Sequence, residues 1–341
     1  MMSQKESLIS ILMPVFNTAA FLPACLDSIL NQTESNWELI AVDDHSTDDS
    51  LEILRAYAQR DARIQVFGHF GKGIIPALRK AFSQSSGAYI TRMDSDDIMN
   101  VNKLQILKNI ILNHPLGTIA TGKVAYFSET MVQNGYIRYQ NWLNEWMETG
   151  QSWQQIYKEC VLPSPCWLLR RADLVVCGGF EPDTYPEDYD LCFRFYEQKY
   201  TIAAHTDFPI HYWRDSATRT SRNDPNYASN QYFNLKINYF LKLNFDINRP
   251  LVLWGGGDKG KTLIRAFKIH VPPHLLHWVT NNLRKVGQII ENQKLTHYEN
   301  ILHLKHPQII TAVAQPSGQL EIEAFLQKNG FKMGADYFPF C

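Results

Sequence analysis

The 341-residue sequence predicts an α/β protein: a domain with a largely parallel sheet, then a second, smaller α/β pattern beginning at Leu251. Three observations predict it. Short β-rich runs alternate with amphipathic helices from the N-terminus onward. Polar loops rich in Asp, Ser, Thr and Gly follow the strands. Asn248-Arg249-Pro250 has the look of a junction, after which the strand-and-helix pattern restarts.

The first strand is Ser10 to Val15, and Leu22, Leu26, Ile29 and Leu30 then recur at helical spacing, with Pro23 suited to a first turn. Glu38 to Val42 is the second strand. Leu51, Leu54, Tyr57 and Ala58 mark one face of the next helix, with Asp48 a candidate cap. A third unit runs from the strand Ile64 to Phe67 through Gly68, Gly71 and Gly73 into a helix opening near Pro76. Gly87 is expected to end that helix, and Ala88 to Met93 to form the next strand. In sheets of this kind ligands bind beyond the carboxyl ends of the strands. The loops of interest are therefore Pro14 to Asn17, Asp43 to Asp48 and Asp94 to Asp97.

Composition narrows the function. The chain is 45% hydrophobic and 20% charged, enough for a large core, and its length favours two domains. With a formal net charge of −1 and no block of five like charges, it has neither a basic nucleic-acid footprint nor an acidic tail. Leu8 to Phe16 is too short and mixed for a signal peptide, and no run of eighteen apolar residues occurs. The expected location is the cytoplasm, with at most peripheral association at the inner face of a membrane. Cys25, Cys160, Cys166, Cys177, Cys192 and Cys341 show no zinc-ligand spacing and read as free thiols.

Asp94-Ser95-Asp96-Asp97 follows a strand directly. Three acids in four residues repel one another unless a cation is present, and Mg²⁺ or Mn²⁺ takes carboxylates together with substrate phosphates. A solvated turn or helix cap explains the same run without a metal. Asp43-Asp44-His45-Ser46-Thr47-Asp48 ends the second strand, where short acids accept hydrogen bonds from a base edge or ribose hydroxyls, or else cap the helix that follows.

Ile9 to Asn17, Val42 to Asp48 and Met93 to Asp97 recur in this order in family-two glycosyltransferases of the GT-A fold, which the chain resembles over roughly residues 7 to 222. Gly73 to Gly87 is similar to that family's loop and helix before the metal motif. Pro163-Ser164-Pro165, Arg170-Arg171, Gly178-Gly179-Phe180-Glu181 and Glu187-Asp188-Tyr189-Asp190-Leu191 resemble its acceptor-side segment.

The resemblance implies that Pro14 and Asp44 lie near the nucleotide base with Asp43 close by, that Asp94 faces ribose or metal, and that Asp96 ligates Mn²⁺ or Mg²⁺. Asp188 becomes the general base, although acids in a helix first turn are also expected for the dipole alone. Arg214 is similar to the family's aromatic-Arg segment, and Arg219 and Arg222 are candidates for phosphate. Asp215 stands where the family often has a His, with His211 a possible substitute.

The implied activity is inverting transfer from a nucleotide diphosphate sugar, UDP-sugars being the family's commonest donors, to a hydroxyl of a saccharide or lipid-linked saccharide acceptor, as in surface polysaccharide synthesis. The rival reading is a non-catalytic carbohydrate- or partner-binding protein on the same fold. The aromatic stretch Tyr136 to Trp153 suits a sugar wall or, more simply, a packed helix.

The implied organisation is a GT-A domain over residues 1–222, a helical or irregular connector over 223–249 and a small Rossmann-like module over 250–341. Gly255, Gly257 and Gly260 fit a dinucleotide fingerprint, while Gly255, Gly260, Lys261 and Thr262 fit a phosphate loop. No acid closes the following strand at His277 to Asn282, where ribose recognition would need one. The segment resembles small modules appended to some bacterial glycosyltransferases and is expected to be structural or partner-binding.

Overall fold

The computed structural model describes residues 7–216 and 229–341. The chain divides into two compact units, Met1–Ser152 with Leu162–Pro225, and Trp153–Val161 with Asn226–Cys341.

The first unit runs β1 (Ile9–Val15), α1 (Leu22–Leu30), β2 (Trp37–Asp43), α2 (Ser50–Arg60), β3 (Ile64–Gly68), α3 (Ile74–Gln84) and β4 (Tyr89–Arg92). It continues with β5 (Ile98–Met99), α4 (Lys103–Leu112), β6 (Thr118–Gly122), β7 (Val124–Phe127), α5 (Asn134–Thr149) and β8 (Trp167–Arg170). Then come α6 (Arg171–Val176), α7 (Glu187–Glu197), β9 (Thr201–His205) and β10 (His211–Arg214). Seven strands form one sheet in the order β3-β2-β1-β4-β8-β6-β9. Its pairings are parallel except those of β8, which runs antiparallel to β4 and β6. A second sheet has the order β5-β10-β7.

β1 and β2 are near-continuous apolar runs because helices cover both faces of a parallel sheet. Of the polar exceptions, Glu38 on β2 is buried with its carboxylate accepting from Ser10 Oγ and the Ser86 and Gly87 amides. α1 buries Leu22, Cys25, Leu26 and Ile29, one face at helical spacing. Each such aliphatic side chain, removed from water, contributes about 1.5–3 kcal/mol.

α3 starts at Ile74, earlier than the sequence suggests, and Pro76 falls in its first turn, where the missing N–H costs nothing. The helix stops at Gln84 with Ser85 as its C-cap, so Gly87 does not end it. Gly87 is required for another reason: a Cβ there would lie 2.6 Å from both Leu8 O and Ser10 Oγ. On α5, Tyr139 stacks on Trp213 of β10 at 6.1 Å, and Trp213 also meets Tyr126 of β7 at 5.0 Å, so Tyr139 packs its helix against the second sheet.

The second unit contains α8 (Ser229–Leu243), β11 (Leu251–Trp254), α9 (Asp258–His270), β12 (Leu276–Thr280), β13 (Ile289–Ile290), β14 (Gln293–His297), β15 (Gln308–Thr311), α10 (Pro316–Lys328) and β16 (Tyr337–Pro339). Its sheet order is β13-β14-β12-β11-β15-β16, with β13 alone antiparallel to its neighbour. The segment Trp153–Val161 belongs to this unit, and there Tyr157 stacks on Phe340 at 5.2 Å and meets Phe240 edge-on at 5.5 Å.

The glycines after β11 seat α9 tightly. A Cβ on Gly260 would fall 1.9 Å from Gly255 O, the same carbonyl that accepts from Trp278 Nε1 at 2.8 Å. Close strand-to-helix packing therefore accounts for the Gly255 to Gly260 spacing. Beside it, at the carboxyl ends of the strands, lies a cavity of about 340 Å³ lined by Gly256, Lys259, Thr280, Asn282, Lys285 and Gln315 among others.

Candidate active site

β1 and β2 run parallel with Pro14 opposite Val42 and Val15 opposite Asp43, so their following loops emerge side by side. Asn17, at φ 51°, turns back so that its Oδ1 accepts from the Thr47 amide at 2.7 Å and its own amide donates to Ser46 Oγ at 3.0 Å. Asp48 accepts from the amides of Ala19 and Ser50, both at 3.0 Å; it braces the loop as well as the start of α2, whose N-cap position is Asp49.

Asp44 is held from two directions: the Gly73 amide donates to both carboxylate oxygens, at 3.0 and 2.9 Å, and His69 Nε2 donates to Oδ1 at 2.9 Å. Asp43 is buried and accepts from the Ser46 amide through Oδ2, while its Oδ1 has no hydrogen-bond partner. A buried acceptor without a donor costs about 1–3 kcal/mol unless something else supplies one. Asp44, His45 and His69 each bring one ligand atom within 4.8 Å of the others, but the contacts just described already engage Asp44.

The loop after β4 separates its acids by task. Asp97 is buried; its Oδ2 accepts from His211 Nε2 at 3.0 Å and its Oδ1 from the Arg214 amide at 2.8 Å. Lys103, wholly buried, donates through Nζ to His211 Nδ1 at 3.1 Å and to Pro165 O. Lys has donors only, so Nδ1 accepts and Nε2 carries the ring proton; both nitrogens are engaged and neither is left for a metal.

Arg214 Nε donates to Asp96 O at 2.9 Å, and the guanidinium lies 4.6 Å from the ring centres of both Phe21 and Phe127. It braces the loop's backbone. Asp94 and Asp96 are half-buried. Two hard carboxylates two residues apart are the ligand type that Mg²⁺ or Mn²⁺ takes together with phosphate and water.

Arg92, buried at the end of β4, joins two motifs. Nε and Nη2 each lie 2.9 Å from Asp94 Oδ1, and Nη1 lies 3.0 Å from Glu187 Oε1. Glu187 and Asp188 open α7, where the dipole favours acids, so the helix-end explanation holds alongside any catalytic one. Burial pushes the Asp188 carboxyl up to about 7, with Glu187 adding to the rise and Arg92 opposing it. Asp188, Glu187 and Arg92 border a small cavity of about 10 Å³, room for one water, together with Ser164, whose buried Oγ has no partner.

Residues 10–176 match the model of glycosyl transferase family 2. Over that segment, just under half of the chain, it is similar to that family. The matched segment carries Pro14, Asp43, Asp44, Asp94 and Asp96, whereas Asp188 and Arg214 lie beyond it. Among family relatives, glycosyltransferase GlyG of Streptococcus pneumoniae is 43% identical over 103 residues, 30% of this chain and 34% of GlyG. Chondroitin synthase of Pasteurella multocida is 31% identical over 137 residues, 40% of this chain and 14% of the synthase. The alignments thus span about a third or less of these relatives' length.

The crystal structure of S. aureus TarS 1–349 superposes with a TM-score of 0.51 at 18% identity, covering 70% of this chain and 66% of TarS. Its complex with UDP-GlcNAc gives 0.51 at 19%, covering 70% and 68%. At that identity the likeness establishes the fold, GT-A.

Sequence reasoning passed over Arg92, His69 and Lys103. The signal for Arg92 was present: a cation closing an apolar strand two residues before an acid demands a carboxylate partner. His69 and Lys103 carry no such local sign. Arg219 and Arg222 lie outside the described residues, as does the boundary at residues 222 and 223.

Proposed function

We propose that the chain is an inverting glycosyltransferase that depends on a divalent metal and moves a sugar from a nucleotide diphosphate sugar, foremost a UDP-sugar, to a hydroxyl of a saccharide or lipid-linked saccharide acceptor. The observation that carries this reading is the Arg92 bridge, which brings the metal loop and the start of α7 into one ion-pair network. Similarity to the family over residues 10–176 supports the reaction class. The UDP-GlcNAc complex of TarS supports the donor type, and the chondroitin synthase relative supports a polysaccharide acceptor.

In this reading Asp43 and Asp44 receive the nucleoside beside Pro14, the unpartnered Asp43 Oδ1 accepting from it. Asp94 and Asp96 would hold Mn²⁺ or Mg²⁺, which when bound supplies Lewis-acid stabilisation of the departing diphosphate. Asp188 takes the proton of the acceptor hydroxyl as its oxygen attacks the anomeric carbon. The bond to the diphosphate oxygen breaks with its electron pair leaving on that oxygen. A single displacement inverts the anomeric centre and needs no second carboxylate nucleophile. Arg214 secures the loop from beneath, and residues 250–341 serve as a structural or partner-binding module after a catalytic domain at residues 1–222.

The test is nucleotide release and sugar transfer from UDP-, GDP- and TDP-sugars with Mn²⁺ or Mg²⁺ and a pooled glycan acceptor. Release should require metal and vanish in Asp96→Ala. Asp188→Asn should lose about 10²–10⁴-fold in turnover while still binding donor. A folded wild-type chain that turns over no donor would replace this reading with the non-catalytic carbohydrate- or partner-binding one.

A further inference from the structure

We infer that Arg92 is a positioning residue for transfer: it fixes the distance between the metal loop and the base-bearing turn of α7, and so the place of Asp188 relative to the donor. This rests on the glycosyltransferase reading above.

The guanidinium uses its fork fully. One side, Nε and Nη2, converges on Asp94 Oδ1, and the other, Nη1, meets Glu187 Oε1. The Arg92 and Glu187 side chains are 6% and 7% exposed, so both charges have been taken from water, whereas the Asp94 side chain is 27% exposed. Stability alone gives little reason for such a set, since buried ion pairs are close to neutral against well-packed apolar residues. Geometry gives a better one.

β4 is locked into the sheet beside β1 with Arg92 opposite Leu12, which fixes the root of the side chain. Asp94 is two residues along the chain, but Glu187 is ninety-five away, and Asp188 follows Glu187 directly. The planar fork therefore transmits the position of the sheet edge to the helix start. Lysine at residue 92 would keep the charge without the fork and would let the two carboxylates drift apart. A displacement of about 1 Å at a reacting group costs roughly 10²-fold in rate.

The experiment compares wild type, Arg92→Lys and Glu187→Gln in the full chain by melting temperature, UDP affinity with Mn²⁺, and donor kcat and KM. Glu187→Gln removes the charge and so weakens the tie to the helix end while leaving Arg92 on Asp94, and it reports even if Arg92→Lys folds poorly. The expected result is a kcat loss of about tenfold or more in each folded variant, with UDP affinity and donor KM within about threefold of wild type. Wild-type kcat in either variant overturns the role. So does a loss that falls on KM and UDP affinity with kcat intact, which would make Arg92 part of the donor site. Absence of turnover in the wild-type chain instead brings down the glycosyltransferase reading, and the role with it.

Discussion

Replacing Asp188 by Asn should stabilise the protein at alkaline pH while removing its activity. The folded state raises the Asp188 carboxyl from 3.8 to about 7. For a carboxyl raised on folding, the stability contribution is complete below 3.8, declines as pH rises, and is lost above about 7. At 1.36 kcal/mol per pH unit the interval corresponds to about 4 kcal/mol, which screening at a half-buried site reduces to about 2 kcal/mol. The asparagine side chain resembles the neutral acid and does not titrate, so the variant escapes this cost. At 2–4 °C per kcal/mol for a unit of this size, it should melt about 4–8 °C above wild type at pH 8. At pH 5 the advantage should shrink to roughly a third. The assay is thermal melting of both proteins from pH 4 to 9 in EDTA, because a bound cation would lower the carboxyl's pKa. Equal or lower melting of the variant at pH 8, or a difference that ignores pH, would refute the reasoning.

The same carboxyl predicts the pH profile of transfer: kcat/KM should fall about tenfold per unit as pH drops below the Asp188 value and level off above it, an acid limb read from initial rates. Lys103→Met removes the cation that bonds His211 and Pro165 O and should destabilise the chain by about 3–5 kcal/mol, checked by denaturant unfolding followed by intrinsic fluorescence. Gly260→Ala sets a methyl against the Gly255 carbonyl, so a loss of at least about 1–3 kcal/mol is expected, read as early melting of the C-terminal unit by hydrogen exchange.

Much of the fold was legible because β1, β2 and β4 carry their evidence locally. Each is an apolar run followed by a polar loop, and parallel order places those loops on one edge. The sheet β5-β10-β7 was not legible. Its strands are two to four residues long and come from distant parts of the chain, so no window contains the pattern that makes them strands. The candidate site divides in the same way. Asp43, Asp44, Asp94 and Asp96 announce themselves by clustering, and Asp97 looks identical to its neighbours in sequence. Only the three-dimensional approach of His211 and Arg214 shows that Asp97 faces inward as a strut. Lys103 reads as a surface residue at the start of a helix, yet it is wholly buried because Pro165 O and His211 supply acceptors that local sequence cannot reveal.

The excursion of Trp153–Val161 into the second unit has a practical side. The polypeptide passes between the two units three times, at 152/153, 161/162 and 225/226, so no single cut separates them. A protease nicking the chain near residue 225 would leave Tyr157 on one fragment and its stacking partner Phe340 on the other. The two fragments should therefore remain associated under native conditions and part only in denaturant. In engineering terms the units are stitched rather than strung: exchanging the C-terminal unit for that of a relative would require transplanting the nine-residue stitch along with it.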